Sequence, residues 1–197
     1  MYILIITILS ILAFIEINKR AIQLGSKRNF KGFANFFWII LTVILSIRYA
    51  QGTDYVEYEA QYEFIDSNMS FFVNALYHGE IGWYILLLLF KKANISFDVF
   101  IIVISLVMMF SFKRAVIKYS PYPLLSMILF FPTYYLTYCQ SALRQGLVLC
   151  IFIGYGLPLL LNRRNIYYCM LIVGLMSIHT SAVALLLLPF VKSIKIK

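Results

Sequence analysis

Charge is what this chain has least of, and acid least of all. Only 13% of its 197 residues are charged and eight are Asp or Glu, against 62% hydrophobic residues and a mean hydropathy of +0.87. A water-soluble fold of this length has too little interior to hide that much apolar surface. The composition therefore excludes a soluble enzyme domain and indicates an integral membrane protein. The three cysteines, Cys139, Cys150 and Cys169, lie in apolar surroundings and form no CxxC or Cys/His spacing. They read as small buried hydrophobes, not as a disulfide framework or a metal centre. No DxD-like pair and no glycine loop for phosphates occurs, so neither a metal nor a nucleotide cofactor is expected. The net charge of +9 does not point to nucleic acid, because the bases stand in short clusters between apolar runs. That is the arrangement that orients membrane spans.

A span needs about 17 to 25 apolar residues. Runs of that kind lie near 2–18, 33–49, 97–113, 121–138 and 141–161, and a further one, 166–191, is broken by Ser-Ile-His-Thr-Ser at 177–181. The expected fold is an all-α bundle of about six to seven spans in one membrane domain, residues 1–197. No basic residue precedes the first run and no small-residue cleavage site follows it, so it reads as a retained span and not as a signal peptide. The stretch IGWYILLLLF, residues 81–90, covers only about 15 Å as a helix and is too short to cross. Laid along the membrane surface, it leaves thirteen of the seventeen bases on one side, at 19–31, 113–118, 163–164 and 192–197. A crossing there would scatter them, so the positive-inside rule puts the N-terminus and the loop 50–96 outside the cytoplasm.

That loop holds six of the eight carboxylates: Asp54, Glu57, Glu59, Glu63, Asp66 and Glu80. Glu57, Glu59, Glu63 and Asp66 read as a solvated face. On a helix, Tyr55, Tyr58 and Tyr62 line one side with Asp54 at its edge, four residues before Tyr58. An aromatic stripe with a polar rim suits a helix lying in the membrane interface.

Four ionisable residues fall at the outer ends of spans. Arg48 stands six residues before Asp54, with Gly52 and Thr53 supplying a turn and an N-cap between them. Arg144 lies in the first turn of a helix that Ser141 is placed to cap, where a cation opposes the helix dipole unless an anion is shared with it. That anion is either a phosphate or a loop carboxylate such as Glu80. His179 occupies a helix break below the outer surface, either as a proton-transfer group or as a cap working with Thr180 and Ser181. Glu80 opens the 81–90 helix, where the dipole favours a carboxylate. Pro132 is placed to kink the span that carries it. Together these groups suit an anionic, lipid-linked substrate. Arginine holds phosphate oxygens bidentately, and a carboxylate or imidazole takes the proton of an attacking hydroxyl. Among the candidate bases Asp54 is favoured, because it follows a Gly-Thr turn beside a tyrosine face that can support a sugar.

Four blocks, RYAQGTDYVEY, GEIGWYILLLLF, SALRQGLVL and IHTSAVALLLLP, in that order, resemble the EpsG family of bacterial exopolysaccharide proteins, related to Wzy-type polysaccharide polymerases. The resemblance runs from about residue 40 to the C-terminus. It implies a polytopic inner-membrane glycosyltransferase that joins oligosaccharide repeat units carried on undecaprenyl diphosphate, beside membrane lipids and other polysaccharide-export proteins. It also implies site positions at Arg48, Gly52, Asp54 and Tyr55, at Glu80, Gly82 and Tyr84, at Arg144 and Gln145, and at His179, Ser181 and Ala182. Of these, Asp54, Glu80 and His179 are the candidate catalytic residues, and Arg48, Arg144, Gln145 and Tyr55, with Tyr58 from the tyrosine face, the candidate substrate-binding residues. Family members are longer, so the chain is expected to correspond to an N-terminal portion. A lipid-sugar flippase and a non-catalytic assembly component are the competing expectations.

Asp54 and His179 are predicted to lie on the side of the membrane opposite Lys27 and Arg114. Cysteine labelling of intact cells checks this, with positions 54 and 179 reacting and 27 and 114 protected. Equal labelling at 54 and 27 contradicts the topology.

Overall fold

The computed structural model describes residues 2–21, 27–65, 69–77 and 79–193. Asp66, Lys195 and Lys197 lie outside them. Among the described residues the structure is helical throughout, with no strand. The helices are α1 (Tyr2–Ala21), α2 (Lys27–Ser46), α3 (Tyr55–Phe64), α4 (Met69–Tyr77), α5 (Ile81–Lys92), α6 (Phe97–Tyr119) and α7 (Pro123–Phe130). The last continues as a π-helix, Phe131–Ser141. Then come α8 (Leu143–Ile151), a short π-turn (Phe152–Gly156), α9 (Leu157–Leu161), α10 (Asn165–Ile178), a 3-10 helix (Thr180–Leu187) and α11 (Leu188–Ser193).

Among the described residues, two helices are long and apolar enough to cross a membrane, Phe97–Tyr119 and the continuous stretch Leu143–Leu161. Shorter apolar helices cover Tyr2–Asn18, Gly32–Ser46, Asn165–Ile178 and Thr180–Phe190. Their outward faces carry Phe14, Phe36, Ile39, Phe110, Met170 and Phe190, all exposed. Exposed large hydrophobics on several helices at once are the surface expected against lipid, not against water.

The long helices run up and down. Leu45 accepts from Ser105 Oγ (3.3 Å), and Trp38 meets Phe112 edge-on at 5.3 Å, so α2 and α6 are antiparallel. Tyr2 pairs with Gln140, and the Glu16 carboxylate accepts from the Leu124 N–H (3.1 Å), so α1 lies antiparallel to α7 and its π continuation. Glu16 is fully buried, and its bond to one of the first N–H groups of α7 gives the carboxylate a favourable dipole. Lys113, Arg114 and Lys118 end α6, and Arg163 and Arg164 form the turn between α9 and α10. Asp54 and Glu80 lie at the other end, with α3, which packs beside the start of α6.

The expectation for residues 121–138 needs correction. A single α-helical span kinked at Pro132 gives way to eight α-helical residues followed by eleven π-helical ones. Proline at the junction cannot donate the α-helical hydrogen bond, and the wider turn absorbs that loss. Tyr135 of this stretch is fully buried, and its hydroxyl donates to the Leu41 carbonyl at 2.7 Å, tying the π-helix to α2.

Small residues set the closest approaches. A Cβ on Gly154 would run into the Ser111 backbone, so the π-turn seats directly on α6. Gly154→Ala is predicted to destabilise the fold by about 1–3 kcal/mol through overpacking. Gly174 has open space around it and serves as the control. Thermal unfolding in detergent should show a lowered midpoint for Gly154→Ala only.

Candidate functional site

The segment after α2 turns sharply over the end of the π-helix. Arg48 is 4% exposed, and its Nη1 donates to the carbonyls of Cys139 and Gln140, the latter at 2.7 Å. A cation there satisfies carbonyl groups at a helix C-terminus, where the dipole is negative. Gly52 has φ +102°, a conformation L side chains rarely adopt, and a Cβ there would collide with the Gln140 carbonyl and Ser141 Cα. The loop 48–54 is thus moulded onto residues 139–141, which lead directly into α8. Across the Gly52-Thr53 turn the Arg48 guanidinium turns to backbone carbonyls, and Asp54 Oδ1 accepts from Thr53 Oγ1 at 2.7 Å. Asp54 itself, not Thr53, is the N-cap residue of α3.

Tyr55, Tyr58 and Tyr62 do share one face of α3, and each is 3% exposed. That face was expected to meet lipid headgroups or a sugar. Instead α3 folds back over the start of α6, so the rings pack on protein. Tyr55 meets Phe97 at 5.4 Å, Tyr62 meets Phe100 at 5.7 Å, and Tyr58 meets Trp83 of α5 edge-on at 5.5 Å.

Tyr58 is also where the charged groups begin. Arg144 stands over its ring at 5.4 Å and donates from Nε to its hydroxyl at 3.4 Å. Burial pushes the Tyr58 phenol above its ordinary value, against the pull of the Arg144 guanidinium. The phenol therefore stays protonated and neutral beside the cation. Arg144 Nη1 forms an ion pair with Glu80 Oε2, and the other oxygen, Oε1, lies 2.6 Å from His179 Nδ1. The imidazole's Nε2 lies 3.0 Å from Gln145 Nε2. With the Gln145 amide donating to Nε2, the ring proton sits on Nδ1 and is donated to Glu80. Five side chains from α3, α8, the start of α5 and the end of α10 are thus joined at one end of the bundle. Three of them, Arg144, His179 and Glu80, keep 24%, 17% and 11% of their side chains exposed.

Both alternatives left open for Arg144 and His179 can now be placed. The anion beside Arg144 is the Glu80 carboxylate, and His179 closes α10 in extended backbone while bonding to that same carboxylate. Ser141, expected to cap the Arg144 helix, ends the π-helix instead, and Ala142 takes the cap position with no side-chain bond. The wider π turn runs one residue further than a serine cap allows. Gly82 abuts Ser177 so closely that a Cβ would collide with it, which seats the start of α5 on α10 and brings Glu80 to His179. Sequence reasoning missed Trp83 as a support, although its position three residues after Glu80 was visible. Its Nε1 donates to Gln61 Oε1 at 3.3 Å.

Among the described residues no group of three or more His, Cys, Asp or Glu side chains could hold a metal ion. The family model that matches is that of the EpsG family, over residues 31–197, a range that includes every member of the cluster. No curated protein and no solved structure matches the chain.

Arg48→Ala is predicted to lower stability by about 1–3 kcal/mol, because it strands buried carbonyls. Unfolding in detergent measures the loss. Lysine at the same position, which reaches one carbonyl at most, should restore part of it.

Proposed function

Because the chain belongs to the EpsG family, a membership that suggests a role in exopolysaccharide biosynthesis, we propose that it joins lipid-linked oligosaccharide repeat units at the outer face of the bacterial cytoplasmic membrane. In this reading α1, α2, α6, α7 with its π-helix, α8 with α9, and α10 with the segment after it make six to seven crossings, about as many as their lengths allow. The N-terminus and the end bearing Glu80 face outward, and α5 lies along the interface. The donor is an oligosaccharide on undecaprenyl diphosphate.

The observation that carries the proposal is the Glu80 carboxylate shared between Arg144 and His179. It unites a fixed cation for a diphosphate with an oriented imidazole for a hydroxyl. Arg144 meets Glu80 through Nη1 and Tyr58 through Nε, and its side chain keeps 24% exposure, through which a phosphate can reach the fork. The acceptor hydroxyl attacks the anomeric carbon of the donor sugar, and the bond from that carbon to the diphosphate oxygen breaks. The hydroxyl proton passes to His179 Nε2, displacing the Gln145 contact. Glu80, on Nδ1, holds the ring and stabilises the imidazolium that forms, the role a carboxylate plays behind a catalytic histidine elsewhere. Polyprenyl diphosphate leaves with its charge held by Arg144. Arg48 acts through the backbone it caps, and Asp54, the base favoured on sequence, has its carboxylate bonded to Thr53. A flippase should carry its charge near the bilayer midplane. Here the cluster lies at the helix ends.

The complete gene product, expressed in a cell lacking its own polymerase, tests the assignment through polymer output normalised to protein in the membrane. His179→Ala should lose about 100-fold or more, the scale of a general base. Arg144→Lys should be impaired despite keeping its charge, whereas Glu63→Gln, on the exposed side of α3, should not. Full output from Arg144→Lys rules out the guanidinium as the diphosphate clamp.

A further inference from the structure

Beside the charged cluster a groove of about 440 Å³ opens on the outside of the bundle, lined by Gly79, Met176, Ser177, Thr180 and Val183. Gly79 and Thr180 are the chain neighbours of Glu80 and His179, so the groove and the acid–imidazole pair share a border. Its walls are apolar in practice. The Ser177 hydroxyl is turned back onto the Gly174 carbonyl at 2.7 Å, and Thr180 directs its methyl towards Gly79. Gly79 has φ +70°, and a Cβ there would stand 3.3 Å from that methyl, so the glycine both permits the turn and keeps this wall low. Val183, on the far wall, is 52% exposed.

A ligand that is anionic at one end and hydrocarbon immediately behind needs a charged group and an apolar surface in contact with each other. Arg144 and this groove, joined through Glu80 and His179, supply both. A soluble sugar nucleotide has nothing to place in the groove. We propose that the groove receives the first isoprene units of a polyprenyl diphosphate whose head lies at Arg144. The inference rests on the lipid-linked substrate proposed above and names where that lipid leaves the site.

The test is a polyprenyl diphosphate without sugar, bearing a diazirine on its first isoprene unit, irradiated with the complete gene product in native membranes. Labelling should fall within residues 176–183. Val183→Trp, which fills the groove, should reduce it roughly tenfold, the scale on which a misfilled apolar pocket discriminates. Val173→Trp, at an exposed position of α10 outside the groove, should leave it unchanged. Labelling spread over the outer helices, or unaffected by Val183→Trp, overturns the assignment and points to a groove filled by protein. So does equal labelling by a phospholipid carrying the same diazirine, which marks a general lipid face. Groove labelling by a protein that makes no polymer sustains the lipid site and instead refutes the polymerisation reading.

Discussion

A carboxylate withdrawn from water must be met by charge or by hydrogen bonds, or it gives up its ionised form. Glu80 is 9% exposed and meets that requirement with one oxygen on Arg144 and the other on His179. Because Arg144 starts α8, His179 ends α10 and Glu80 starts α5, the requirement fixes three helix ends against one another. Removing Glu80 or Arg144 leaves the other's charge without its counter-ion, a larger penalty than losing a surface ion pair. The same arrangement joins an arginine and an imidazole that each keep part of their side chains exposed.

The surrounding architecture delivers those helix ends. Arg48 and Gly52 mould their loop onto residues 139–141, so the departure point of α8 is set by a guanidinium some ninety residues earlier in the chain. Gly82 against Ser177 does the equivalent for α5 and α10. The tyrosine face of α3 packs on Phe97, Phe100 and Trp83, which places the Tyr58 hydroxyl at Arg144. Four separate sequence blocks are thereby brought to one end of the bundle. The basic ends of α6 and α9 lie at the other.

Much of this was legible in local pattern. Period and length marked the helices, α5 included, and the position of each ionisable residue at a helix end put Arg144, Glu80 and His179 on one side. What local pattern does not carry is the choice of partner. Arg48 is as compatible with a phosphate as with two backbone carbonyls, and only the fold brings Cys139 and Gln140 to it. The tyrosine periodicity specified a buried face without saying whether lipid or protein buries it. Pro132 announced a disturbance, but a kink and eleven residues of π-helix answer equally to a missing N–H. Glu16 is a single acid in an apolar run, and its acceptor role depends on the start of α7, more than a hundred residues away.

If Glu80 both competes with phosphate for Arg144 and supports the charge that develops on His179, neutralising it should separate binding from turnover. The direct measurement is native mass spectrometry of undecaprenyl diphosphate binding to the Glu80→Gln protein, set beside its polymer output. The variant must first be shown folded by its unfolding midpoint. The account predicts that the folded variant binds the lipid at least as tightly as the parent yet makes little polymer. Unchanged polymer, or binding lost together with polymer in a folded protein, contradicts it.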